Sequence, residues 1–205
     1  MMKTRATFVL CCVIPGIALG CTAEEPTTPT VELTLRAERD RIRPDDPALV
    51  HFTLKNAGTE PVSLVRPGDG SDVGWRTPIL EWSVTNRTNP EAKPRMWGRC
   101  GNINPLGPGE VFTLRRGQLI TFTAYVHDIP FDPAPGTYDV TLTYTNDPKM
   151  QWGGEPLGMH SFFEMRRVRS STPVSVTSNT VTIHVSPSDD EPPTSRGEGA
   201  LSEGN

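Results

Sequence analysis

Six stretches of this chain alternate apolar and polar residues with a period of two, and that pattern leaves few folds open. Val31, Leu33 and Leu35 alternate with Glu32, Thr34 and Arg36. The same rhythm returns through Val50, Phe52 and Leu54, through Leu80, Trp82 and Val84, and through Ile120, Phe122, Ala124 and Val126. It returns again through Tyr138, Val140, Leu142 and Tyr144, and last through Val181, Ile183 and Val185. A period of two is that of a strand with one buried face, and β-branched and aromatic residues suit such strands. Shorter runs at 62–65 and 111–114 are weaker candidates. Clusters such as Asn56-Ala57-Gly58, Leu106-Gly107-Pro108-Gly109 and Pro133-Ala134-Pro135-Gly136 mark the turns between them. With 21 prolines and 18 glycines in 205 residues, long helices are disfavoured, and no helical stripe is visible. The expectation is an all-β domain over 31–186, an antiparallel β-sandwich of seven to eight strands. Two stretches exceed what such strands need for their connections, 87–109 and 146–173, and these are read as long loop insertions.

Pro135-Gly136-Thr137-Tyr138-Asp139-Val140 resembles the lead-in to the penultimate strand of many bacterial immunoglobulin-like domains. The resemblance implies a tyrosine corner, in which the Tyr138 hydroxyl ties back to the preceding loop. Val140 stands where the antibody family has a cysteine, so the inter-sheet disulfide of that family is absent. Leu54-Lys55-Asn56-Ala57-Gly58-Thr59-Glu60-Pro61-Val62 resembles the exit from the second strand of such domains. Leu114-Arg115-Arg116-Gly117-Gln118 resembles the turn before their fifth strand. The layout is similar to that of the bacterial intracellular proteinase inhibitor family, and this implies proteinase inhibition as one alternative function. The fold itself hosts many functions and selects none.

The first twenty residues read as an export signal. Lys3 and Arg5 precede an apolar run that starts at Phe8 and reaches Leu19. That run is too short for a membrane span of about 20 residues. It ends on Ala18-Leu19-Gly20-Cys21, which resembles a bacterial lipobox and implies cleavage before Cys21 and acylation of that residue. Diacylglycerol and an N-linked chain such as palmitate would hold the protein stably, because two or more chains exceed the marginal binding of one. Residues 21–30, rich in Pro and Thr, read as a tether, and 187–205 as a disordered acidic tail with too few apolar residues to fold. The expected location is extracytoplasmic, on the cell membrane or the outer membrane. Thr22 lacks the aspartate that retains some lipoproteins in the inner membrane, which favours the outer one. With Cys11 and Cys12 removed and Cys21 acylated, Cys100 has no partner within the chain, so a core and not disulfides must hold the domain.

Charge excludes one class of function. The chain nets −4, and the acids and bases of 31–186 balance, so a nucleic-acid binder working through a strongly basic surface is ruled out. No Gly-x-Ser-x-Gly, Ser-x-x-Lys or His-Glu-x-x-His motif is present. A Cys100–His127 pair is the sole nucleophilic candidate, and no enzyme activity or cofactor is expected. Asp69, Ser71 and Asp72, or Asp128 and Asp132, read as Asx turns more readily than as calcium ligands. Met150, Met159, His160 and Met165 cluster in sequence, and soft thioethers with an imidazole suit Cu(I), so copper handling is a second alternative. Trp152, Phe162, Phe163, Arg166, Arg167 and Arg169 have the aromatic and arginine composition of interface hot spots. The competing reading folds these aromatics back onto their own sheet as a β-hairpin extension, with the arginines solvated. The leading expectation is a lipid-anchored, non-catalytic binding module whose partners are the membrane and an envelope protein or glycan.

Overall fold

The computed structural model describes residues 30–187, apart from 45, 47, 69–73, 92–105, 108, 127–128, 130–133 and 153. Every alternating run forms a strand. β1 (Val31–Ala37), β3 (Leu49–Asn56) and β7 (Leu119–Tyr125) make one antiparallel sheet, with β3 in the middle. β2 (Arg41–Ile42) lies between β1 and β3 in the chain but joins the other large sheet. That sheet is centred on β8 (Gly136–Asn146). β5 (Leu80–Asn86) runs along one edge of β8. β11 (Val174–Thr177) and β12 (Val181–Val185) follow one another along the other edge. β4 (Val62–Val65) and β6 (Val111–Leu114) form a separate antiparallel pair.

The apolar positions of both large sheets meet in one buried cluster. Val31, Leu33 and Leu35 of β1, Val50, Phe52 and Leu54 of β3, and Tyr138, Val140, Leu142 and Tyr144 of β8 are all buried. Phe52 is the aromatic hub, stacked on Phe122 at 5.2 Å and edge-on to Trp75 at 5.3 Å and Trp82 at 6.2 Å. Trp82 and Phe122 are only half-buried, packed against the core from its margin. The outward faces carry hydroxyl pairs across neighbouring strands, Thr53 with Thr121 at 2.9 Å and Thr143 with Thr177 at 3.0 Å. His51 and His184 sit on these polar faces, with Nδ1 of each within hydrogen-bond distance of Thr123 and Thr137. Such cross-strand pairs are what stabilise a sheet face that no core covers.

Three sequence expectations need correction. The described residues hold twelve strands and not seven or eight, because β2, β9 (Gln151–Trp152) and β10 (Glu155–Pro156) are two-residue pieces and because β11 is a strand of its own. The pairing is not wholly antiparallel, since β2 lies parallel to β12. The 146–173 stretch is not a loop: β9 and β10 pair as a small hairpin, and an eight-residue helix α1 (Phe162–Arg169) follows. Most of the other insertion, 87–109, lies outside the described residues.

The Tyr138 hydroxyl donates to the Ala134 carbonyl at 2.7 Å, so the side chain closes the loop that leads into β8. Tyr138→Phe should lower unfolding free energy by about 0.5–1.5 kcal/mol, the usual worth of one such bond, read from urea midpoints at unchanged m. Tyr144, also fully buried, donates to the Val65 carbonyl at 2.7 Å and ties β8 to β4. Burial raises its pKa far above that of a free phenol, outweighing that bond, so it stays neutral.

Candidate functional site

The segment between β8 and β11 is anchored at its two ends by one buried side chain. Asn146, at the end of β8, donates through Nδ2 to Ser171 Oγ at 3.0 Å and to the Thr172 carbonyl at 2.7 Å. Its Oδ1 accepts from the Val65 amide at 3.0 Å. Thr172 and Ser63 exchange two further bonds, at 2.7 and 3.0 Å. The stretch therefore leaves and rejoins the body at one fixed point.

Beneath the hairpin lies a feature with no sequence signature. Arg76 is fully buried, and its guanidinium donates to the Arg66 carbonyl at 3.1 Å, to the Gly68 carbonyl and to Glu110 Oε2 at 2.9 Å. The half-buried Trp152 ring stands over it, 5.2 Å from ring centroid to guanidinium carbon. Burial lowers the pKa of Arg76, and the Glu110 charge and hydrogen bond oppose that shift. Glu110 Oε2 also accepts from the Gly107 amide at 2.8 Å. Trp152 thus packs against the margin of the core and over Arg76.

The helix behaves otherwise. Ser161 caps it, its hydroxyl accepting from the Glu164 amide at 3.4 Å, and Ser161-Phe162-Phe163-Glu164 has the Ser-x-x-Glu spacing of a capping box. That spacing is the one sequence signal that announces α1. Glu164 and Val168 face inward and are buried. Glu164 Oε1 lies 3.5 Å from Arg167, which also donates to the Val111 carbonyl at 3.2 Å. Gly158 lets the preceding turn pass close beneath the helix. It has φ +77°, and a Cβ there would stand 2.8 Å from the Met165 nitrogen and 2.9 Å from the Glu164 carbonyl carbon. Gly158→Ala should therefore cost about 1–3 kcal/mol and be felt first as faster amide exchange across 158–169.

On the outward face, Phe162 and Phe163 are 75% and 74% exposed, the largest values among the exposed large apolar side chains. Their rings meet edge to face at 5.9 Å. Arg166 and Arg169 are exposed beside them and have no ion pair among the described residues. A turn of 100° per residue puts Phe162, Arg166 and Arg169 in line, with Phe163 and Arg167 along one flank. Of the six residues proposed for a partner surface, five therefore share this face, and Trp152 does not.

A shallow cleft of about 120 Å³ lies alongside, lined by Leu106, Trp152, Pro156, Leu157, Met159 and His160 among others. The residues of the copper alternative are dispersed in environment. Met150 is in the core, Met159 and His160 are exposed on the turn before α1, and Met165 is half-buried on the helix. Among the described residues no three His, Cys, Asp or Glu side chains come together as a metal site. Cys21, Cys100, His127 and the Asp69 and Asp128 turns lie outside the described residues. No protein-family model matches the chain, and no curated protein matches it significantly.

Proposed function

We propose that this protein is an extracytoplasmic lipoprotein, held to a membrane through Cys21, whose domain is a non-catalytic binding module of immunoglobulin-like type. The sandwich reading is supported by strand order: β1-β3-β7 on one sheet and β5-β8-β12 on the other follow the A-B-E and C-F-G orders of that fold. The Tyr138 corner supports it too. The anchor reading is supported by the apolar run that ends on Ala18-Leu19-Gly20-Cys21. No helix among the described residues is long and apolar enough to cross a membrane.

The observation that carries the binding reading is the pair Phe162–Phe163. Most large apolar side chains of the described residues are buried or packed against the core, yet these two stand in solvent on a capped helix whose segment is fastened to the body at Asn146. An exposed aromatic pair on a rigid support marks a surface that another body covers. Cys21→Ser tests the anchor directly. The variant should leave the membrane fraction and appear in the soluble extracytoplasmic fraction, and one that stays in the membrane contradicts the reading.

A further inference from the structure

We propose that the outward face of α1 is a second membrane contact: Phe162 and Phe163 insert into the bilayer that holds Cys21, and Arg166 and Arg169 meet its anionic headgroups. The proposal rests on the lipoprotein reading above.

Charge complementarity is the first argument. The outward face of α1 carries Phe162, Phe163, Arg166 and Arg169 and no acid, since Glu164 is turned inward and is paired with Arg167. The domain of 31–186 has no net charge, so this is a local cationic patch and not part of a general basic field. Aromatic rings among arginines suit a lipid interface, where the rings enter the acyl boundary and the long cationic side chains reach the phosphates. The rings also project from the helix into solvent, as side chains that enter a bilayer must.

The position of the tether is the second argument. Thr30 accepts from the Ala57 and Gly58 amides. Beside them the Asn56 side chain binds the Glu60 and Leu114 carbonyls. Just beyond, Ser63 is bonded to Thr172, which follows closely on the end of α1. The chain from Cys21 therefore enters the domain at the end from which α1 projects. Residues 21–30 can span at most about 35 Å, so of the two ends of the domain this is the one the tether brings closer to the bilayer. β12 leaves the domain beside Gly136, at the other end of the eleven-residue β8 from Asn146. The acidic segment 187–205 thus starts beside the end of β8 opposite Asn146, a strand length of about 35 Å away.

The test uses the full chain purified from membranes and placed in vesicles of brominated phosphatidylcholine and phosphatidylglycerol. Phe163→Trp is compared with the unsubstituted chain, which holds four tryptophans of its own. Because Phe163 is exposed, the substitution leaves the core untouched. The added emission should be quenched by more than half. Adding Arg166→Gln and Arg169→Gln should cut that quenching at least about threefold and remove its dependence on phosphatidylglycerol, since each cation near an anionic surface is worth on the order of fivefold in binding. An introduced indole that the lipid does not quench overturns the proposal; quenching by aqueous iodide then marks a bare face, and shielding from iodide marks a face covered by protein, 187–205 included. Intact mass of the same sample separates the two readings. An acylated chain with an unquenched indole removes the helix contact and keeps the anchor. An unacylated chain with a quenched indole does the reverse, and an unacylated, unquenched chain removes both.

Discussion

Glu110→Ala should destabilise the domain by about 3–5 kcal/mol, because it leaves the buried Arg76 guanidinium without its counter-charge. Arg76 is fully buried while Glu110 keeps 21% side-chain exposure, so the loss falls on the arginine. The carbonyls of Arg66 and Gly68 still accept from it, but they supply no net charge. Arg76 Nε has no partner among the described residues, so the site is already under-satisfied. Glu110→Gln should cost less, since an amide oxygen can still accept from Arg76 and from the Gly107 amide. The double variant Arg76→Met with Glu110→Gln should recover most of the loss, because an apolar side chain of similar length removes the charge and keeps the packing under Trp152. Urea midpoints for the three variants check the order. A Glu110→Ala loss below about 1 kcal/mol would mean that water reaches the guanidinium and that the pair is not what holds the hairpin down.

Asn146→Ala is the second large effect, about 2–4 kcal/mol. It removes one side chain and takes a bond from each of the Val65 amide, the Thr172 carbonyl and the Ser171 hydroxyl, the last of which keeps its bond to the Val168 carbonyl. Asn146→Asp should be at least as damaging, although it has the same shape. A carboxylate can still accept from Val65, but it presents an acceptor to the Thr172 carbonyl where the amide donated. Both variants should speed exchange at the Val65 amide and loosen 146–173 ahead of the sheets. Equal exchange across the domain would show that the segment is not fastened at this point.

These two sites show where sequence reading stops. Strand positions were legible because burial on one face leaves a period of two over seven or more residues, as in β1 and β8. The short pieces β2, β9 and β10 leave no period to read. α1 is only eight residues long, and its polarity is inverted: phenylalanines face out and a glutamate faces in. Hydrophobic periodicity therefore points the wrong way, and the Ser161–Glu164 capping spacing was the signal that remained. The Arg76–Glu110 pair is made by residues far apart in the chain, each in a loop, and no local pattern announces it. The aromatic and arginine residues of the candidate surface were legible as composition. Their division into Trp152 on the core and five residues on one helix face was not, because it depends on where the hairpin ends and the helix starts.

The most direct test of the account is the intact mass of the protein extracted from its native membrane. The account predicts a chain that begins at Cys21 and carries a diacylglycerol and an N-linked acyl chain, with a single species dominating. A mass matching a chain cut elsewhere, or one beginning at Cys21 with no added lipid, would contradict it.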